Sequence, residues 1–202
     1  METVSLIDAI RQAVPGVAVD EVPSVDMPTL VVGRDRLREV LAVLRDHPAL
    51  QFALLADVTA VDRLPAAPRF EIVYHLACLG ETYVIGPGPA APPRRLRLKV
   101  GLPADDPRVP SVASLYPTAD WLEREVFDLF GVLFTDHPDL RRILMPEDWE
   151  GYPLRKDYPV QIRKTPQTWS PIQLSAEEFA EHVRSQRAQA TTRSDDPRGP
   201  RD

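Results

Sequence analysis

The sequence predicts an α+β fold, with an antiparallel or mixed sheet, helices packed on one face, and an extended C-terminal segment. Three stretches repeat their apolar residues at helical spacing, and four others have the composition or alternation of β-strands. Neither GxGxxG nor GxxxxGK(S/T) follows any of these strands. The pattern therefore favours an α+β layer over a doubly wound nucleotide-binding fold.

The first 46 residues predict two helices and one strand. Residues 3–14 form the first helix, which the Pro15-Gly16 pair ends. Residues 29–32 are a short apolar strand. Residues 34–46 follow as the second helix, whose apolar residues form one stripe: Leu37, Val40, Leu41 and Leu44.

Three longer strands are predicted next. Residues 52–61 and 70–83 are joined by the turn-rich sequence LPAAP, which predicts a hairpin. Residues 94–103 alternate apolar with basic side chains, as a half-buried strand requires. Pairing these strands in chain order gives the antiparallel or mixed sheet.

Composition divides the chain into three parts. A length of 202 residues with 44% hydrophobic content suits one core domain, which we assign to residues 1–134. Six of the 22 prolines fall within residues 135–174 and predict extended backbone there, so this segment is expected to form a docking strap. Residues 175–202 are expected to form a short helix, capped by Ser175 and Glu178, followed by a disordered tail.

Several classes of function are disfavoured. The net charge of −6 argues against nucleic-acid binding. Cys78 is the only cysteine, which excludes an internal disulfide or a cysteine-ligated iron–sulfur cluster within the chain. The start METVSLIDAIRQ lacks the long apolar core of a secretory signal, and no apolar run is long enough to cross a bilayer. The chain is therefore expected in the cytoplasm, touching membranes only through partners.

The stretch from residue 119 to residue 159 carries the candidate functional residues. On a helical wheel, five apolar residues of the helix 119–130 share one half: Trp121, Leu122, Val126, Leu129 and Phe130. Glu125 falls inside this arc, and Glu123 lies at its edge. A carboxylate there needs a cation, and the candidates are Arg141, Arg142, Arg155 and Lys156.

Three further features of this stretch lead to predictions. Arg124 and Asp128 stand four residues apart and predict an ion pair on the helix surface. Gly131 is predicted to end the helix in the left-handed conformation. His137 has no second histidine or cysteine nearby, so a hydrogen-bonded structural role is favoured over metal binding.

The segment GYPLRKDYP, residues 151–159, cannot form a core of its own. Its prolines bracket the charged run Arg155, Lys156 and Asp157. One interpretation is a strap laid across another protein, with Tyr152 and Tyr158 as anchors. The other is a tight loop over the same domain's sheet. Physical reasoning leaves both open.

The same stretch resembles a known family. The run Glu123-Arg124-Glu125, then Asp128-Leu129-Phe130, then His137, Arg141, Ile143 and Leu144 is similar to the central motif of the C-subunit family of respiratory complex I, the proton-translocating NADH:quinone oxidoreductase. The following PEDWEGYPLRKDYP looks like that family's C-terminal motif.

The resemblance implies a non-catalytic subunit of the peripheral arm, on the cytoplasmic face of the bacterial plasma membrane. It implies packing against the D subunit, which helps form the quinone site, and no cofactor in this chain. FMN, iron–sulfur clusters and quinone would belong to partner subunits. The residues carried over are interface or structural ones, and none is catalytic: Glu123, Glu125, Asp128, His137, Arg141, Arg142, Arg155, Lys156 and Asp157.

Two alternatives stay open at this point. One is the homologous subunit of a membrane-bound hydrogenase or ferredoxin-driven complex. The other is a free-standing hydrolase that uses Glu125 and Asp128 as an acid and base.

Overall fold

The computed structural model describes residues 3–80 and 92–159, and beyond them residues 175, 177, 179–181, 183 and 184. Met1–Tyr158 form one compact unit and Pro159–Asp202 a second. The elements of the first unit are α1 (Thr3–Ala13), β1 (Val19–Glu21), β2 (Thr29–Val32), a 3₁₀ turn (Arg34–Arg36), α2 (Leu37–Asp46), β3 (Leu54–Asp62), β4 (Phe70–Cys78), β5 (Arg94–Leu102), β6 (Arg108–Pro110), α3 (Ala119–Phe130) and β7 (Leu133–Thr135).

Five strands form one mixed sheet in the order β1-β2-β5-β4-β3. Strands β3, β4 and β5 run as an antiparallel meander. The β3–β4 pair is the hairpin that the LPAAP turn predicted, and the β4–β5 pair follows chain order. Strand β5 then pairs in parallel with β2, so the sheet does not follow chain order throughout. Strands β6 and β7 form a separate parallel pair.

The two faces of the sheet differ because apolar and polar residues alternate along its central strands. The partners Tyr74 and Leu98 are fully buried, and so are their neighbours two residues along each strand. On the opposite face Glu71 and Lys99 form an ion pair at 2.9 Å. The buried face carries the helices, which confirms the predicted α+β layer.

The helices pack on this face through the stripes that the sequence predicts. Four residues of α2 are 0% exposed: Leu37, Val40, Leu41 and Leu44. Leu6 and Ile10 bury the matching side of α1. Helix α3 ends at Gly131, whose φ of +71° is the left-handed conformation predicted there.

Several boundaries differ from the predictions. The compact unit continues to Tyr158, so residues 135–158, predicted as the first part of a docking strap, pack within it. Strand β4 ends at Cys78, and residues 81–83 of the predicted strand lie outside the described residues. Strands β1, β6 and β7 were not predicted, because three residues are too few to show an alternation.

The second unit agrees with the predicted helix where it is described. Residues 177, 179–181, 183 and 184 are helical. The tail predicted to be disordered lies outside the described residues.

Candidate functional site

Asp128 holds the segment that follows helix α3. Its side chain is fully buried, and Oδ1 pairs with Nη1 of Arg142 at 2.8 Å. Oδ2 accepts the backbone N–H groups of Ile143, Leu144 and Met145 at 3.0, 2.7 and 2.8 Å. Burial alone would raise the pKa of Asp128, but these hydrogen bonds outweigh it and lower the pKa. A carboxylate engaged by so many donors is a structural clamp and a poor general base.

The ion pair predicted between Arg124 and Asp128 is wrong. Arg124 instead stacks its guanidinium on the Trp121 ring, 4.7 Å from the centroid, and its Nε donates to the carbonyl of Arg141 at 3.2 Å. The Arg141 side chain points outward and pairs with Asp139 at 2.9 Å. The predicted surface pair does not form because residues 141–145 cover this flank of the helix and offer Asp128 stronger donors.

Arg155 caps the C-terminal end of α3. Its Nε donates to the carbonyl of Phe130 and its Nη2 to that of Gly131 at 3.3 Å. The guanidinium also lies 4.5 Å from the Tyr152 ring centroid. Cations are favourable at a helix C-terminus, where carbonyls lack partners within the helix. Arg155, predicted as an interface or structural residue, thus contacts its own domain.

Asp62, which sequence reasoning missed, anchors the end of the same segment. Its carboxylate takes two hydrogen bonds from Arg69, at 3.1 and 2.9 Å, and one from the Lys156 amide at 2.9 Å. Arg69 also pairs with Asp157 at 2.8 Å. The Arg69 guanidinium holds the pKa of Asp62 well below its usual range. Lys156 and Asp157 are therefore also held within the chain. For residues 151–158 these contacts favour the interpretation as a tight loop over the same domain.

Glu123 is the buried carboxylate of α3. It is 0% exposed, and its Oε1 accepts the Val112 amide at 2.7 Å. Its Oε2 lies 3.8 Å from Nε2 of His137. Desolvation by burial raises the pKa of Glu123 from about 4.5 to about 7.

His137 is hydrogen-bonded at both ring nitrogens, as expected for a structural histidine. Its side chain is 0% exposed. Nδ1 accepts the Asp139 amide at 3.0 Å, and Nε2 lies 3.1 Å from the carbonyl of Asp120. Because Nδ1 accepts, the proton sits on Nε2, which donates to that carbonyl.

The prediction that Glu125 lies on the core side of α3 is wrong. Glu125 is exposed and Trp121 is 63% exposed. The residues of α3 that face the core are Ala119, Glu123, Val126 and Phe130. The wheel was centred through the bulky Trp121 and Leu129, so it pointed away from the real core direction, from which Glu125 is rotated by about 130°. Among the described residues the Glu125 side chain has neither an ion pair nor a hydrogen bond.

Three large apolar side chains are exposed on α3 and on the segment that follows it: Trp121, Leu144 and Leu154, which are 63%, 59% and 51% exposed. We call these three residues, together with the exposed Glu125, the outer strip. Asp128 fixes Leu144 beside the helix, and the amide of Leu154 donates to the carbonyl of Leu129 at 3.0 Å. Large apolar side chains grouped on a surface are typical of a protein contact.

Two cavities lie in the described part of the chain. One, of about 180 Å³, lies beside Phe52 and Arg94, and the other, of about 540 Å³, lies beside Leu115 and Tyr116. No group of three His, Cys, Asp or Glu side chains among the described residues is arranged to hold a metal ion. Nor is any described helix both long and apolar enough to cross a bilayer. Glu125 is exposed and Asp128 is occupied by donors, so the geometry does not support the hydrolase alternative.

Comparison with protein families gives a match over most of the chain. Residues 30–164 match the model of the respiratory-chain NADH dehydrogenase 30 kDa subunit. A relative from Saccharopolyspora erythraea, named as the C subunit of NADH-quinone oxidoreductase, is 51% identical over 133 residues, which are 65% of this chain and 49% of the relative. The corresponding C subunit of a Roseiflexus species is 40% identical over 160 residues, 79% of this chain and 86% of the relative.

Two solved structures share the fold. The trypsin-resistant fragment of Nqo5 is 33% identical, with a TM-score of 0.53 over 69% of this chain and 100% of the fragment. A chain of the membrane-bound sulfane sulfur reductase, an archaeal respiratory membrane complex, is 26% identical, with a TM-score of 0.57 over 79% of this chain and 87% of that chain. The chain spans 49% to 60% of the length of the first three curated relatives.

Proposed function

Because the chain belongs to the family of the respiratory-chain NADH dehydrogenase 30 kDa subunit, we propose that it is a structural subunit of an NADH:quinone oxidoreductase. In this proposal it scaffolds the D subunit in the peripheral arm, and electrons pass from NADH to quinone through other subunits. The relatives named as C subunits of NADH-quinone oxidoreductase support this assignment.

The outer strip is the observation that carries the proposal. The predicted interface charges are mostly used inside the domain: Asp128 with Arg142, Arg155 on the helix end, and Asp157 on Arg69. These contacts fix the backbone that presents Leu144 and Leu154 next to α3. The charged residues thus hold the docking face in place, and the apolar side chains make the contact with the partner.

Glu125 gives this face its chemistry. It is an exposed carboxylate on the same helix as Trp121, without a partner among the described residues. We propose that the partner subunit meets the strip with apolar side chains and a basic residue opposite Glu125. Such a pair would fix orientation more than affinity.

Cofactors and location follow the family resemblance. We propose that FMN, iron–sulfur clusters and quinone are bound by partner subunits and that this chain holds none of them. The assembled arm would lie on the cytoplasmic face of the bacterial plasma membrane. Membrane contact would come only through the complex.

A second candidate is the equivalent subunit of a related respiratory complex that does not use NADH. The fold shared with a chain of the sulfane sulfur reductase complex favours this alternative. The chemistry of the outer strip does not separate the two, because both need a docking subunit.

Affinity purification of the tagged chain from its native membrane tests the proposal. We expect a homologue of the D subunit and other peripheral-arm subunits to co-purify, with NADH:quinone activity in the pool. Co-purification with sulfur- or hydrogen-metabolising subunits would establish the second candidate. Recovery of the chain alone, monodisperse, with a turnover that Glu125→Gln abolishes, would favour the hydrolase.

A further inference from the structure

Two carboxylates on one turn of α3 face a single buried imidazole. Nε2 of His137 lies 3.4 Å from Oδ1 of Asp120 and 3.8 Å from Oε2 of Glu123. The side chains of His137 and Glu123 are both 0% exposed. Asp120 is 37% exposed, so its second oxygen stays open to solvent. Two negative charges beside a neutral ring in such a place are unfavourable.

Three buried oxygens at this site lack hydrogen bonds. Among the described residues, Oη of Tyr74, Oδ1 of Asp120 and Oε2 of Glu123 are shielded from solvent and have no hydrogen-bond partner. Burial and the nearby Glu123 charge raise the pKa of Tyr74 well above its ordinary value. Polar atoms of this kind are rare in folded proteins and call for an explanation.

An added proton has one favourable position. His137 already carries its proton on Nε2, and protonation of Nδ1 would break the hydrogen bond from the Asp139 amide. Asp120 keeps partial access to water. Glu123 is wholly buried and its Oε2 has no hydrogen-bond partner among the described residues, so Oε2 is the position that gains most from protonation.

Other charged groups face Glu123 from the surrounding elements. Asp120 on the same helix opposes its ionisation, while Arg38 on α2 and a hydrogen bond with Ser111 favour it. Tyr74 from β4 lies on the sheet side. The desolvation of the carboxylate exceeds these contributions.

We propose that Asp120, Glu123 and His137 form a buried proton-binding site, in which Glu123 holds the proton while residues 137–139 are in place and releases it when they move away. Glu123 is protonated when residues 137–139, which lead into the outer strip, pack against it. By linkage, any event that displaces this segment exchanges a proton with solvent. The inference does not depend on which partner the chain binds.

The direction of the pH dependence follows from the pKa of Glu123 with residues 137–139 in place and with them displaced. With the segment displaced, Glu123 is solvated and ionises near its ordinary value. With the segment in place its pKa is raised to about 7. The equilibrium constant for opening should therefore rise about tenfold per pH unit between the two values, roughly 300-fold in all, and level off above them.

Titration of the Glu123 side-chain carboxyl carbon by ¹³C NMR, in the full-length chain, tests the site without any mutation. We expect a midpoint near 7, assigned by loss of the resonance in Glu123→Gln. A midpoint at or below 4.5 would overturn the proposal.

Hydrogen exchange at the amides of Val112 and Asp139 then tests the coupling. After correction for intrinsic exchange, opening should rise with pH in the wild type and stay flat in Glu123→Gln, which mimics the protonated acid. Glu125→Gln, on the exposed face of the same helix, should behave as the wild type. The same pH dependence in wild type and Glu123→Gln would contradict the coupling.

Discussion

Replacing Asp128 with asparagine removes one carboxylate oxygen from a buried cluster of donors. The remaining oxygen can serve Arg142 or the amides of residues 143–145, but not both sets. The new NH₂ group then faces N–H donors without an acceptor. Breaking a buried pair while leaving its partner in place costs about 3 kcal/mol, which is the loss expected for Asp128→Asn.

Urea unfolding of the full chain measures this loss. A cost of about 3 kcal/mol corresponds to a fall in Tm of roughly 6–12 °C for a unit of this size. Hydrogen exchange should show the amides of residues 143–145 opening first, because they lose their acceptor. The mechanism thus predicts both a size and a location for the effect.

Asp139→Asn is the matched control. Asp139 is 53% exposed and pairs with the 71% exposed Arg141, so its substitution should change stability by less than about 1 kcal/mol. If Asp128→Asn behaved like this control, the idea that Asp128 clamps the segment would be refuted.

Two further predictions concern the anchoring of the same segment. In Gly131→Ala a Cβ would lie 2.5 Å from Nη2 of Arg155 and closer still to the Tyr152 ring, at a φ of +71°. We therefore expect the free energy of unfolding in urea to fall by more than about 1 kcal/mol. Gly33→Ala, which has open space at its Cβ, is the control and should cost less than half as much. The pKa values of Asp62 and Asp128 are lowered in the folded chain, so both carboxylates contribute stability above about pH 4 that is lost as pH falls further. When unfolding is followed from pH 6 to pH 2, the free energy of unfolding should fall less steeply in Asp62→Asn than in the wild type. An unchanged slope would contradict the Asp62–Arg69 anchor.

The sequence predicted the sheet and the main helices because their patterns are local. The stripe of α2 and the alternation in β5 each lie within about ten residues, and the structure reproduces both. The crossing of β5 to pair with β2 was not predicted, since strand order depends on packing across the whole domain.

The sequence identified several residues of the site but not the contacts that they make. Asp128 was identified, but its assigned partner Arg124 was wrong, because Arg142 and three amides lie 14 to 17 residues further along the chain. Asp62 was missed since its contact with the Lys156 amide spans 94 residues. A local pattern gives no sign of such distant contacts.

The sequence predicted Glu125 as the buried carboxylate of α3, whereas Glu123 is the buried one, because the wheel was oriented by Trp121. Trp121 counts as strongly apolar on any wheel, yet it lies outside, stacked on Arg124. The signal that could have corrected the wheel was the spacing of Ala119, Val126 and Phe130, which repeats every three to four residues and includes position 123.

The docking role of the outer strip can be measured most directly with Trp121→Asp in the tagged chain, purified from its native membrane. The Trp121 side chain is 63% exposed, so the urea midpoint of the isolated variant should match the wild type. Recovery of the assembled complex should fall at least tenfold, while Val25→Asp, at an exposed apolar residue far along the chain from α3, should leave it unchanged. Assembly of Trp121→Asp at the wild-type yield would contradict docking through this face.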